Sequence, residues 1–426
     1  MFRSRIALAL VPFVTLAVQA TPARAVNDVL STGDLSLDIS GYLEARAIYT
    51  GDNQSWENGG LGKLSFSGNA KGDGRVLAKA DGAVVFKPKL GFDWTGYVAV
   101  VANDRQRTAL DISEAFLQYK PVPNTLFGIK AKAGAFFPPI SGENAGLAWT
   151  SPYTITPSAI NSWVGEELKT IGGEATIYHR EGDWQMDLTG AVFLANDPAG
   201  TLLAWRGWSL NDRVTGLFDK LSLAQIRIIR PTGNLNTQAP TEKPFHEIDG
   251  HAGYYVGLSL EHADYGKLSV LRYDNKANDH AFVLSQWAWD TKFWTVSYKV
   301  QLSGDVDVLT QYMKGSTTVI TIPAPVGPIV YTDYTSAFGL ISKDWGRHRL
   351  SFRGEYFKTE DEDRFPDNNN EHGTAFTLAY IFRPVVNQRL TVELLHVDSW
   401  RPERQYIGER VRQKDLQTQI SYRFFF

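Results

Sequence analysis

The sequence predicts an all-β fold, a transmembrane antiparallel β-barrel of sixteen strands with long extracellular loops. Three observations lead there. First, residues 415–426 alternate strictly. Leu416, Thr418, Ile420, Tyr422, Phe424 and Phe426 share one face, and Asp415, Gln417, Gln419, Ser421 and Arg423 share the other. A strand that is apolar on one side, polar on the other and aromatic at its end suits lipid outside and water inside. An ordinary amphipathic strand of a soluble sheet would instead expose three consecutive phenylalanines. Second, Arg3 and Arg5 precede an apolar run from Ile6 to Val18, and Ala23-Arg24-Ala25 has the small-x-small form of an export-signal cleavage site. Residues 1–25 are expected to be removed, leaving 26–426 as the barrel. Third, no later run reaches the roughly 18 apolar residues of a spanning helix. In lipid the remaining way to pair every backbone polar group is a closed barrel.

Composition agrees with this class. Removing the signal takes away three arginines and no acid, so the formal charge moves from −3 to −6. No strongly basic run appears, and nucleic acid is not an expected partner. The chain has no cysteine, which excludes disulfides and thiolate metal sites. Aromatics make up 12% of residues, with 12 Trp, enough for girdles at both membrane interfaces.

The elements follow from period-2 alternation broken by polar turns. In the first strand Leu37, Ile39, Leu43, Ala45 and Ala47 oppose Asp38, Ser40, Glu44 and Arg46. In the third, Leu90, Phe92, Trp94, Val98 and Val100 oppose Asp93, Thr95 and Tyr97. In the fifth, Phe127, Ile129, Ala131 and Ala133 oppose Lys130 and Lys132. In the seventh, Trp184, Met186, Leu188, Val192 and Leu194 oppose Gln185, Asp187 and Thr189. Short turns are expected at 87–89, 121–124, 180–183, 264–266, 301–305, 344–347 and 383–388. Long connections are expected near 50–74, 103–109, 137–168, 196–250, 274–286, 314–333, 360–373 and 400–411. That pattern requires sixteen strands and puts both termini on the short-turn, periplasmic side. The segments 268–273 and 336–343 alternate poorly, and bulges are expected to reset them.

With its signal peptide, sixteen alternating strands, long third loop and C-terminal Phe strand, the chain resembles the bacterial outer-membrane porins over the whole of 26–426. Gly134-Ala135-Phe136-Phe137-Pro138-Pro139 is faintly similar to the phosphate-selective porin group, known for many lumen Arg and Lys; here acids and bases are mixed. The resemblance implies a third loop (137–168) folded into the barrel as a constriction, a homotrimer, and contact with outer-membrane lipid and lipopolysaccharide. It also implies passive diffusion of small hydrophilic or anionic solutes, with no cofactor and no metal.

The third loop carries Pro138, Pro139, Pro152, Pro157, Trp149 and Trp163, which would keep it stiff, and Glu143, Glu166 and Glu167. Alternation assigns Arg46, Lys79, Lys130, Lys132, Arg349, Arg353, Arg389 and Arg423 to the lumen, with Glu44, Glu114, Glu174, Glu355 and Glu393. A base facing lipid at the midplane would cost roughly 2–4 kcal/mol. Any one of these residues can equally be a structural cross-strand pair; as a set they make a charged aqueous lining whose opposed signs orient polar solutes. The mixture points to a weakly selective eyelet.

The fourth loop (196–250) is too long for a bare connector. Ser209 is placed to cap a short helix through Asp212, Leu217, Phe218 and Leu221. Arg206, Arg213, Arg227 and Arg230 make this loop basic, suited to selecting anions in the vestibule, to latching a neighbouring subunit, or to plain surface decoration. The acidic seventh loop, Asp361, Asp363, Asp367 and Glu371 among it, lacks the spacing of a twelve-residue calcium loop and reads as a solvated acidic loop, with calcium-bridged lipopolysaccharide as the alternative. No nucleophile elbow, phosphate-binding loop or zinc motif is present. An enzyme is not expected, although His251, His262 or His396 would suit a barrel hydrolase if one met a carboxylate. The rival to a conducting pore is a plugged barrel acting as a structural or adhesive protein.

Overall fold

In the computed structural model, which describes residues 31–32, 35–67, 74–323 and 325–426, sixteen antiparallel strands close into a barrel. The expected signal peptide lies outside the described residues. The strands are β1 (Leu35–Thr50), β2 (Arg75–Leu90), β3 (Trp94–Asn103), β4 (Leu110–Tyr119), β5 (Phe127–Phe136), β6 (Thr170–Glu181), β7 (Trp184–Leu194) and β8 (Gly253–His262). They continue as β9 (Gly266–Asp274), β10 (Asp290–Leu302), β11 (Val306–Ile322), β12 (Gly327–Trp345), β13 (His348–Asp361), β14 (Glu371–Phe382), β15 (Gln388–Trp400) and β16 (Arg412–Phe425). Each pairs with its neighbours in sequence, and β16 returns to β1 from Tyr42↔Phe425 to Tyr49↔Thr418. Among the described residues no helix is long and apolar enough to cross a membrane.

The closing seam extends to the last residue. The Phe426 carbonyl accepts from the Gly41 N–H at 2.9 Å, and the Phe426 N–H donates to the Gly41 carbonyl at 3.0 Å. A Cβ on Gly41 would stand 2.4 Å from the Phe426 ring and 2.6 Å from the Ala83 carbonyl. Gly41→Val is therefore expected to cost about 1–3 kcal/mol by overpacking. The check is the temperature at which the folded band is lost in a heating gel; an unchanged temperature contradicts this account of the seam.

The outer face alternates as the sequence predicts. Leu43, Leu188, Val192, Phe352, Leu378 and Ile420 are exposed, while their strand neighbours are buried or half-buried. Trp94, Phe127, Trp184, Tyr265, Trp345 and Tyr422 are exposed near the short-turn rim, where an interfacial girdle belongs.

Three expectations are corrected. The first short turn is at 91–93, not 87–89, because β2 runs to Leu90 and β3 begins only at Trp94. The long connection expected at 314–333 does not exist: β11 and β12 extend to Ile322 and from Gly327. The prolines there suggest a loop, but the β-branched run Thr317–Ile322 pairs with 327–332 instead, and Pro328 is accommodated near the strand's start. No bulge resets 268–273 or 336–343, where the register is continuous; the shift lies between Ala99 and Val100. The alternation at 336–343 fails for another reason. Phe338 and Leu340 point inward with Leu309 and Met313, into an apolar core inside the barrel.

Candidate functional site

That interior core is built by the third and fourth loops. Pro157 and Ser158 precede nine residues without proline, and these form helix α1 (Ala159–Glu167), all of it buried. Ser158 Oγ caps the start by accepting the Asn161 N–H at 3.3 Å. Trp163 meets Trp208 of the fourth loop edge-on at 6.0 Å, and Phe293 and Tyr334 of the wall at 5.6 and 5.4 Å. Gly165 lets the fourth loop approach: a Cβ there would lie 2.8 Å from the Arg213 carbonyl.

Charged groups fasten α1 to the wall. Arg353 Nη1 donates to Glu143 Oε1 at 2.6 Å and to the Thr156 carbonyl at 2.9 Å. Its Nη2 donates to the Pro157 carbonyl at 3.1 Å and to Thr377 Oγ1 at 3.0 Å, and its Nε to Glu355 Oε1 at 2.9 Å. Glu355 Oε2 accepts the Ala159 N–H at 2.7 Å, and Glu143 Oε2 accepts the Ser158 N–H at 2.9 Å. Two carboxylates thus sit at the positive end of the helix. Glu393 takes the Ile155 and Thr156 N–H groups at 2.6 and 3.1 Å.

At the other end of α1, Glu166 receives both terminal nitrogens of Arg206, at 3.0 and 2.6 Å. Glu167 accepts from Trp163 Nε1 and from the Leu202 N–H of helix α2 (Thr201–Trp205). Lys169 lies over the rings of Phe137 and Phe245 and donates to the Thr215 carbonyl at 2.9 Å. Burial pulls its ammonium down to about 7. The helix expected through Asp212–Leu221 is absent; α2 lies earlier, and 210–220 is extended or turned chain that lies against α1.

Opposite α1 the third loop covers β1–β3, where Ala148 packs on Tyr42, Ala83, Val85, Ala99 and Val101. Between loop and wall remains a cavity of about 40 Å³, room for only a few waters. Its charged lining is Arg423, Asp81, Asp212 and Arg213, with Tyr42 beside them. Arg46 pairs there with Glu44 and Asp81, each at 3.0 Å, and with Asp212; Lys79 reaches Asp81 at 2.9 Å. Arg423 donates to Glu44 at 2.7 Å, yet its Nε and Nη1 are buried without a partner, as is the Nε of Arg389 directly across the ladder. These orphaned donors suit water or a passing anion.

The eleven residues singled out from the sequence therefore separate. Arg46, Lys79, Arg389 and Arg423 gather at the eyelet. Lys130 lines a second cavity, and Lys132 is folded over Phe136 at 4.0 Å with Glu174 at 3.4 Å. Arg349 is held by Asp344 at 2.8 Å. Glu143, Glu166, Glu167 and Arg353 were expected on the constriction surface; they have 0% exposure and hold the loop instead. Asp81, Asp212, Lys267 and Lys299 were missed as lining residues. Inward alternation marked Asp81, Lys267 and Lys299, but Asp212 has no local signal.

Among the described residues one group of acids lies close enough to hold a metal ion. Asp197, Glu247 and Asp249 bring carboxylate oxygens within 4.8 Å of one another. They are occupied in tying the loop: Asp197 Oδ2 accepts the Asp249 N–H at 3.2 Å, and Glu247 accepts the Ala195 and Gly250 N–H groups at 2.7 and 2.6 Å. In the seventh loop Asp363 takes the Phe365 and Tyr331 N–H groups at 2.8 and 3.0 Å, and burial raises its carboxyl to about 8. Among the three histidines, His251 lies 3.2 Å from Asp249 at the surface, His262 packs on Trp184 at the opposite rim, and His396 Nδ1 contacts the Asp415 carbonyl.

A closed sixteen-stranded antiparallel barrel, apolar outside and narrowed by an inward third loop, has the fold of the outer-membrane porins. Among solved structures, the outer membrane channel DcaP of Acinetobacter baumannii is similar at TM-score 0.56 and 11% identity, over 94% of this chain and 100% of that one. The anion-selective porin from Comamonas acidovorans is similar at TM-score 0.51 and 10% identity, over 92% and 100%. Both are likenesses of fold. No protein-family model matches the chain, and no curated protein matches it.

Proposed function

We propose that the chain is an outer-membrane porin, exported by a cleaved signal peptide, that passes ions and small hydrophilic solutes down their gradients through a narrow eyelet. The observation that carries this reading is the polar cavity between the third loop and β1, β2 and β16, lined by Arg423, Asp81, Asp212 and Arg213. Arg423, which lines the cavity, keeps its Nε and Nη1 without a partner, and such donors suit a polar solute path. Opposed acids and bases at such a neck favour hydrated, charged or strongly polar solutes over apolar ones. No cofactor is needed, since flux follows the gradient. A homotrimer is the expected assembly, in contact with lipid and lipopolysaccharide.

One observation favours a second reading, a non-conducting structural or adhesive barrel: α1 and the fourth loop pack an apolar core against the inner wall, and the cavity left beside β1–β3 is only about 40 Å³. Planar-bilayer recording separates the two. Stepwise currents of low conductance, grouped in threes, are the expected result; silence at all voltages from correctly folded protein removes the porin reading.

A further inference from the structure

We infer that the barrel holds a binding site for a small polyvalent oxyanion beneath the start of the third loop, on the short-turn side. The inference rests on the porin reading only for its use, as a station on the solute path. The site is a cavity of about 300 Å³, large enough for a small organic ligand.

The strand register constructs it. Ser259, Ser269 and Ser297 stand side by side across β8, β9 and β10, so three hydroxyls form one row. One row nearer the rim, Lys267 and Lys299 are direct cross-strand partners. Lys130 lines the cavity from β5, beside the mutually hydrogen-bonded hydroxyls of Thr176 and Thr189 at 2.9 Å. The roof is Pro139–Gly142 of the third loop. Ser141 Oγ already accepts the Glu143 and Asn144 N–H groups at 3.1 and 2.8 Å, which leaves its O–H free to donate.

The charge balance points to the ligand. Three lysines line the cavity against one carboxylate, Asp187. Lys267 has a loose contact with Glu261 at 3.6 Å. Among the described residues neither Lys130 nor Lys299 has a carboxylate within 4.0 Å. Two adjacent ammonium groups repel unless an anion lies between them. Lysine supplies point charge rather than a planar fork, and hydroxyls supply donors that turn to fit. That combination recognises clustered carboxylate or phosphate oxygens without demanding one geometry.

The test is calorimetric titration of the purified, folded barrel in detergent with citrate, inorganic phosphate and, as an uncharged control, glucose. Citrate is expected to bind, and glucose not. Tighter binding of phosphate than of citrate would identify the ligand as the free inorganic ion within the same chemistry. Lys267→Gln/Lys299→Gln should weaken binding by at least about tenfold, as loss of charge-assisted contacts predicts. Lys267→Arg/Lys299→Arg should keep most of it, which shows that the charge, not the fold, was removed. A heating gel confirms that each variant is folded. Absence of binding by both anions, or equal binding in the glutamine variant, overturns the site. Bilayer recording keeps the two readings apart: currents without anion binding overturn the site and leave the pore, and anion binding without currents does the reverse.

Discussion

Arg353→Ala is expected to free the third loop from the wall and raise the channel's conductance severalfold. The guanidinium is fully buried and makes six contacts: two carboxylates, two carbonyls and two hydroxyls. Truncation leaves Glu143 and Glu355 facing one another's neighbourhood without their cation, and breaking one partner out of a buried pair costs about 3–5 kcal/mol. The cost falls on the loop rather than the barrel, because the strand ladder on both sides of residue 353 is unchanged by the substitution. Without its clamp α1 loses its fixed position, and the space it occupies opens to water. The measurement pairs single-channel recording with protease cleavage inside 137–169. A second variant separates charge imbalance from lost contacts: Arg353→Met with Glu143→Gln and Glu355→Gln keeps acceptors for the Ser158 and Ala159 N–H groups and leaves no orphaned charge. It should recover most of the closed state. Unaltered conductance together with unaltered protease resistance in Arg353→Ala would show that the loop is held elsewhere.

This clamp also shows where sequence reasoning reaches its limit. The outer face was legible because hydrocarbon imposes one rule on every second residue, so Leu188, Val192 and Ile420 were placed without any knowledge of partners. The inner face obeys no such rule. Where it meets water or charge it carries Glu44, Arg46 and Gln419, and where it meets packed loops it carries Phe338, Leu340 and Met313. Alternation vanishes at 336–343 for that reason, although the backbone there is regular. Arg353 was correctly turned inward, but its role depends on Glu143, 210 positions away, and no local pattern encodes that pairing. Helix α1 had a faint signal in Pro157-Ser158; Asn161, Ser162 and Gly165, poor helix formers, obscured it.

The fourth loop is expected to loosen in alkali, and Glu242→Gln to abolish the effect. Glu242 and Glu167 are both completely buried and interact side chain to side chain. Nearby charge does not neutralise them: Arg206 is committed to Glu166, and Glu167 already accepts from Trp163 and the Leu202 N–H. Tyr273 and Tyr334 of the wall also lie near Glu167. Burial raises both carboxyls, and the charge of Glu167 raises Glu242 further, well above the usual carboxylate range. A proton retained by the pair would join the end of α1 to the 241–242 strand of the fourth loop. The sign follows from linkage. A carboxyl whose folded pKa is raised contributes fully below its ordinary value and loses that contribution, at about 1.4 kcal/mol per pH unit, as pH rises from the ordinary value to the folded one, with no further loss beyond it. Protease sensitivity within 196–250 should thus increase as pH rises from the ordinary carboxylate range toward the raised value of the pair. Lys169, brought down to about 7, loses its charge in the same window. The glutamine variant distinguishes the two groups, since it keeps a donor toward Glu167 and leaves Lys169 untouched. A loop that opens equally in Glu242→Gln assigns the alkaline transition to the lysine, whereas a flat profile in the variant assigns it to the carboxyl pair.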